Sequence, residues 1–170
     1  VVTSTFRMIP GLLVQQRGAP VPIFSSLPAE WEAELETMPG VAVVNPEIIS
    51  RVNMINGKTI ISPPRFLVGL EIESRLQLAN GVYSEFVTQG RFLELADRGT
   101  NHTIISRQIA EEFELNLEET LDVNGTTLKV VGILGLCGAA FFLPHGGAPA
   151  GAVSAEGAAP HPLLLGLVLA

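Results

Sequence analysis

Cysteine, positive charge and long apolar runs are all scarce in this chain. Of its 170 residues only Cys137 is a cysteine, so a disulfide within the chain is impossible and a zinc site built from cysteines is not expected. Ten lysines and arginines stand against 17 aspartates and glutamates, a net charge of −7, which argues against a surface that binds nucleic acid. No apolar stretch reaches the roughly 20 residues that a membrane-spanning helix needs.

The composition changes near residue 134. Residues 1–134 mix charged and apolar side chains as globular domains do, whereas Glu156 is the only formally charged side chain in residues 135–170. We therefore predict a folded domain over 1–134 and an aberrant or disordered tail over 135–170. The tail is typical of read-through in a wrong frame of GC-rich DNA, and the start at Val1 is typical of a processed chain or a fragment.

A helix is predicted after the first extended segment. Ser26 is a suitable N-cap, Pro28 suits a first turn, and Pro39-Gly40 ends the helix. The apolar residues recur at helical spacing: Leu27, Trp31, Leu35 and Met38. The glutamates between them are interpreted as a solvated face.

Short β-type runs follow. A strand at 41–44 is predicted to stop at Asn45-Pro46 and to resume at 48–49, and the Asn56-Gly57 dipeptide predicts a tight turn between strands. Further runs predict a strand at 66–70, a helical turn at 73–79 and an extended segment at 82–87.

The clearest unit lies between residues 103 and 133. A strand at 103–105 leads to Ser106 as the N-cap of a helix, and Asn124-Gly125 predicts a two-residue hairpin turn. This turn pairs Val123 with Thr126 and Leu121 with Leu128, which places the apolar side chains on one face. Short strands mixed with two or three helices predict an α+β fold with small mixed sheets.

Five short stretches, in order, resemble one known family. They are Met38-Pro39-Gly40-Val41 with Val44-Asn45-Pro46, the strand at 66–70, Gln89-Gly90-Arg91-Phe92 followed by Asp97, the strand-to-helix step at 104–110, and the hairpin at 121–133. Their order and spacing resemble the MacB-like periplasmic core domain of FtsX-like ABC transporter permeases. The resemblance covers residues 11–134.

The resemblance implies a role in transport without bond chemistry or a cofactor. It implies a domain of a bacterial inner-membrane permease that faces the periplasm and couples ATP-driven motion to the export or release of a cargo. The implied partners are an ATP-binding subunit reached through membrane helices that this chain lacks, a second permease subunit and a periplasmic adaptor protein. We expect partner contacts around 66–75 and 83–92, with these candidates: Phe66, Arg75, Tyr83 and Arg91.

Three other functions stay open. A lipoprotein-releasing permease is the nearest alternative, and a free-standing ligand-binding or scaffold domain is another. A secreted acidic hydrolase would use Glu94 and Asp97 as its pair of carboxylates. Metal binding is not expected, because the histidines are too far apart in the sequence and lack partner ligands: His102, His145 and His161.

Overall fold

The computed structural model describes residues 12–19, 24–78 and 84–135, together with the backbone of 140–144 and 163–169. Within these residues the chain forms three α-helices and eleven β-strands. The helices are α1 (Trp31–Glu36), α2 (Ile72–Gln77) and α3 (Arg107–Glu112). The strands are β1 (Leu12–Val14), β2 (Val41–Val52), β3 (Met54–Ile55), β4 (Lys58–Thr59), β5 (Arg65–Leu70), β6 (Val87–Gly90), β7 (His102–Ser106), β8 (Thr120–Val123), β9 (Thr126–Leu134), β10 (Ala140–Pro144) and β11 (Leu163–Leu169). No helix of this described part is both long enough and apolar enough to cross a membrane.

The strands form one mixed sheet. Its order is β1-β11-β2-β5-β10-β7-β9-β8-β3-β4, and β6 pairs with β9. Strands β2 and β5 are antiparallel, β7 and β9 are parallel, and β8 and β9 form a hairpin. A mixed sheet with a few short helices confirms the predicted α+β class.

Both faces of the central sheet are covered, which explains its continuous apolar runs. Successive residues of a strand point to opposite faces. Leu67 and Ile105 belong to the cluster that includes Ile109 of α3. Their neighbours Val68 and Ile104 belong to a second cluster on the other side. Strands β5 and β7 therefore each contribute to both clusters.

The β8–β9 hairpin confirms the predicted register. Val123 pairs with Thr126 and Leu121 pairs with Leu128, and the apolar members of these pairs are buried. Asn124 and Gly125 have φ values of 52° and 84°, the left-handed conformation that a type I′ turn requires at both central positions.

The predicted interruption of the second strand is wrong. Strand β2 is continuous from Val41 to Val52, through Asn45-Pro46. Pairing between β2 and β5 begins only at Glu47, so the N–H group that Pro46 lacks is not needed as a donor to β5. Asn45 is buried, and its Nδ2 donates to the carbonyl oxygen of Glu71 just before α2. Asn45-Pro46 therefore lies within β2 and, through Asn45, links this strand to the start of α2.

Helix α1 starts later than the sequence predicts. It begins at Trp31, with Glu30 at the N-cap position and no hydrogen bond from a capping side chain. Leu27 and Leu35 are buried together against β2, whereas Trp31 and Met38 are 42% and 49% exposed. Leu27 joins this cluster from the chain ahead of α1, so its burial does not require the helix to begin at the predicted cap, Ser26.

Two segments beyond residue 134 belong to the sheet. The backbone of β10 lies between β5 and β7, and that of β11 lies between β1 and β2. The division into a domain over 1–134 and an aberrant or disordered tail over 135–170 stays a prediction. The origin of the tail in a wrong reading frame stays a prediction.

Candidate functional site

The β6–β9 crossing is closely packed at two glycines. Gly90 of β6 pairs with Gly132 of β9. A Cβ on Gly132 would lie 2.2 Å from the carbonyl oxygen of Arg91, and a Cβ on Gly90 would lie 2.3 Å from the carbonyl oxygen of Val131. The two backbones can approach this closely only without side chains. The Arg91 N–H also donates to the carbonyl oxygen of Val131, at 3.1 Å. This hydrogen bond fixes the position of Arg91 at the end of the crossing.

Asp97 is the centre of a polar cluster in the loop after this crossing. Only 1% of its surface is exposed. Arg91 binds both carboxylate oxygens, with Nη1 at 2.6 Å from Oδ2 and Nη2 at 2.8 Å from Oδ1. The N–H of Glu94 donates to Oδ2 at 2.7 Å, and Nδ1 of His102 lies 2.6 Å from Oδ1. We call these four residues the Asp97 cluster.

Hydrogen bonds keep the carboxylate of Asp97 ionised. The hydrogen bond from Arg91 is the largest influence and holds the pKa of Asp97 well below its usual range. Burial opposes this shift, while the bonds from His102 and the Glu94 N–H add to it. The cluster therefore joins the loop to the start of β7 through a charged and fully bonded side chain.

This geometry does not suit the hydrolase hypothesis. A general acid needs a pKa raised toward the working pH, and that of Asp97 is lowered. Glu94 is turned outward, with 61% of its side chain exposed, and lies 3.8 Å from Nε of Arg91. The two carboxylates form a capping box around the turn Leu95–Asp97, which is a structural role.

The place of His102 in this cluster was not predicted from the sequence. The structure places His102 at the first position of β7. Loop residues that meet through a turn share no periodicity in the sequence. The short spacing between Asp97 and His102 was the available signal, because a carboxylate in the loop just before a strand can contact the first residue of that strand.

A second network ties the same loop to α2. Nη2 of Arg98 lies 2.5 Å from Oε1 of Glu71, the residue before α2. Oε2 of Glu71 accepts from both the N–H and the hydroxyl of Ser74, at 2.6 and 2.8 Å. The Ser74 hydroxyl in turn accepts from Nδ2 of Asn45, at 2.9 Å. Burial alone would raise the pKa of Glu71, but the bonds from Ser74 and Arg98 outweigh it and lower the pKa.

Adjacent loop residues thus bind different elements of the fold. Asp97 binds Arg91 and His102 next to β6 and β7, while Arg98 binds Glu71 between β5 and α2. Exposed ion pairs contribute little each, but Asp97 is buried and its bonds are charge-assisted. Polar contacts therefore join the loop to β6, to β7 and to the start of α2, in addition to the apolar clusters.

The predicted partner-contact residues lie in different surroundings. Arg75 is buried in α2 with Nη1 at 3.9 Å from Oε1 of Glu47, so it does not form an open surface. Phe66 is partly buried against the second apolar cluster, and Tyr83 lies outside the described residues. Arg91 is 39% exposed while its guanidinium binds Asp97. Burial raises the pKa of Glu47, and the charge of Arg75 only partly offsets this.

An acidic cleft of about 410 Å³ lies between α1, β2 and α2. Its acidic lining consists of Glu32, Glu36, Glu71 and Glu73. Burial raises the pKa of Glu32, and the charges of Glu36 and Glu71 raise it further. No group of three potential ligands in the described part of the chain is arranged to hold a metal ion.

Comparison with known proteins identifies the type of domain. The profile of the MacB-like periplasmic core domain matches residues 1–156. The extracellular domain of the ABC-type transporter YknZ from Gram-positive bacteria superposes with a TM-score of 0.61 at 16% identity, covering 92% of this chain and 81% of that one. The periplasmic region of MacB from Actinobacillus actinomycetemcomitans superposes with a TM-score of 0.62 at 14% identity, covering 92% and 73%. No curated protein sequence matches the chain.

The two kinds of match carry different weight. At 14–16% identity the solved structures show a common fold and nothing finer. The family profile spans most of the chain and includes the Gly-Arg element, the strand-to-helix step and the closing hairpin. The chain therefore belongs to the family of MacB-like periplasmic core domains, the extracytoplasmic domain type of FtsX-like ABC transporter permeases.

Proposed function

We propose that this domain serves a bacterial ABC transporter permease of the inner membrane and passes ATP-driven motion to the export or release of a cargo. The family match over residues 1–156 carries the proposal. A permease of this kind works with an ATP-binding subunit, a second permease subunit and a periplasmic adaptor. The domain itself binds no cofactor and breaks no bond in this role.

The polar ties of the fold support a mechanical role. A domain that transmits motion must move as a rigid body, because internal deformation would absorb part of the displacement. The β6–β7 loop meets this requirement, since Asp97 holds it to the ends of β6 and β7 and Arg98 holds it to Glu71 at the start of α2. The bidentate geometry between Arg91 and Asp97 adds directional stiffness that a single ion pair lacks.

The predicted partner contacts remain part of this proposal. Arg91 has the clearest case, because more than a third of its side chain is exposed at the end of the β6–β9 crossing. Phe66 and Arg75 would act mainly by supporting the surface around them, because Phe66 is partly buried and Arg75 is buried. The contact expected at Tyr83 stays a prediction.

Surface labelling in the full-length permease tests where the domain lies. Ile61 is 77% exposed, so Ile61→Cys in a Cys137→Ser background offers a reactive thiol on the domain surface. We expect a membrane-impermeant maleimide to label it in intact spheroplasts. Ile104→Cys is the matched control, because Ile104 is 0% exposed and its thiol should react only after denaturation. Labelling of Ile61→Cys only after membrane lysis would contradict the proposed location.

A further inference from the structure

Two Asn-Gly turns lie against each other at one end of the sheet. Asn56-Gly57 joins β3 to β4, and Asn124-Gly125 joins β8 to β9. All four residues have a left-handed backbone, with φ between 47° and 84°. Asn-Gly is the dipeptide most open to attack by the glycine nitrogen on the asparagine side-chain amide, because glycine has no side chain to hinder the approach. The surroundings of the two amides differ.

Both the oxygen and the nitrogen of the Asn124 side-chain amide form hydrogen bonds. Its Oδ1 accepts from the N–H groups of Asn53 and Met54, at 2.9 and 3.0 Å. Its Nδ2 donates to the carbonyl oxygen of Arg51 at 3.2 Å. The nitrogen that would attack it is also held, since the Gly125 N–H donates to Oδ1 of Asp122 at 3.0 Å. Four hydrogen bonds must therefore break before this amide can react.

The Asn56 amide is held by fewer contacts. In the described part of the chain its side chain makes one hydrogen bond, in which Oδ1 accepts from the Asp122 N–H at 2.8 Å. Its turn connects strands of only two residues each, and β4 is the last strand of the sheet order. Short strands at a sheet edge open more easily than a central hairpin. The β8–β9 hairpin is fixed instead by its four ladder pairs and its buried face.

We propose that Asn56 is a site of spontaneous deamidation in the folded protein and that the contacts of Asn124 protect the matching site. The Gly57 nitrogen attacks Cγ of Asn56 and loses its proton to solvent. The bond from Cγ to the side-chain nitrogen then breaks, and ammonia leaves. Water opens the resulting succinimide at one of its carbonyl groups, which gives aspartate or isoaspartate. No oxidant, metal or enzyme is required.

The product changes the contact between the two turns. Isoaspartate adds a methylene group to the backbone, which disturbs both the turn and the hydrogen bond from the Asn56 N–H to the Asp122 carbonyl. The new carboxylate also lies beside the Asp122 segment, where like charges repel. Deamidation therefore loosens the β3–β4 hairpin from β8 as the protein ages.

Timed incubation of the folded chain at mildly alkaline pH tests this proposal. Tryptic fragments 52–58 and 108–129 contain one Asn-Gly site each, and mass spectrometry resolves the replacement of the amide by an acid. We expect the Asn56 fragment to deamidate about tenfold faster than the Asn124 fragment, because fewer bonds must break. In urea the two sites should react at similar rates, since both follow a β-branched residue. Equal rates in the folded chain, or the same tenfold ratio in urea, would overturn the proposal.

A pair of variants tests the protection of Asn124 separately. Asp122→Ala removes the acceptor that holds the Gly125 N–H, and Asp122→Asn keeps an acceptor oxygen at that position. The Ala variant should deamidate at Asn124 severalfold faster than the Asn variant, while Asn56 keeps its rate because it bonds only the Asp122 backbone. No difference between the variants at Asn124 would count against the assigned protection.

Discussion

Replacing Gly132 with alanine tests the close contact between the backbones of β6 and β9. The added Cβ would lie 2.2 Å from the carbonyl oxygen of Arg91, whereas Cβ atoms essentially never come within 3.0 Å of another atom. Strands β6 and β9 would have to separate by at least 0.8 Å, the difference between 3.0 and 2.2 Å. Overpacking of this kind costs about 1–3 kcal/mol, and weakening the bond from Arg91 to Val131 adds about 1 kcal/mol. We therefore expect Gly132→Ala to lower the free energy of unfolding by about 2–4 kcal/mol.

Gly69→Ala is the matched control for this substitution. Gly69 also lies in a strand, but a Cβ there would meet its nearest atoms at 3.6 and 3.7 Å, which is ordinary contact. Urea unfolding followed by circular dichroism should place the control within about 0.5 kcal/mol of the unmodified chain. Thermal unfolding of Gly132→Ala should shift down by roughly 5–15 °C. Equal stability of the two variants would refute the close contact between β6 and β9.

Three further substitutions probe the loop, the helix cap and the paired turns, each by urea unfolding. Asp97→Asn should lower the free energy of unfolding by about 2–3 kcal/mol at pH 7, because Arg91 loses its charged partner. Folding lowers the pKa of Asp97, so its carboxylate stabilises the folded state fully at pH values above its unfolded-state pKa of about 4. This stabilisation is lost as the pH falls toward the folded-state pKa. The difference in unfolding free energy between Asp97→Asn and the unmodified chain should therefore shrink below about pH 4. Ser106→Ala should cost about 1 kcal/mol, because the hydroxyl accepts from the Ile109 N–H at the start of α3; an unchanged stability would remove this cap. Asn124→Ala should cost about 2–3 kcal/mol and more than Asn124→Gly, which tolerates the left-handed backbone; the reverse order would contradict the assigned conformation.

Local features of the fold could be predicted from the sequence. The β8–β9 register followed from one turn dipeptide and an alternating apolar pattern, since both determinants lie within the same fifteen or so residues. The Ser106 cap was equally local, because its partner is the third residue of the same helix turn. Such predictions do not depend on how distant segments meet.

Features that depend on distant contacts could not be predicted. The Asp97 cluster forms because the Gly90–Gly132 crossing sets the direction of the chain at Arg91, and neither glycine reveals its partner in the sequence. Arg75 was predicted as a partner contact on the surface, but the fold buries it and provides Glu47 on β2 as its partner. The continuity of β2 through Pro46 likewise depends on which neighbour it pairs with.

The most direct test of the mechanical account measures distances in the working transporter. Spin labels at Ile61→Cys and Leu95→Cys, both at exposed positions, report the shape of one domain in the full-length permease with its ATP-binding subunit. Labels at Ile61→Cys alone report the separation between the two permease subunits. Electron paramagnetic resonance should show that ATP changes the distance between subunits and leaves the distance within the domain unchanged. A change within the domain as large as the change between subunits would contradict a domain that moves as one body.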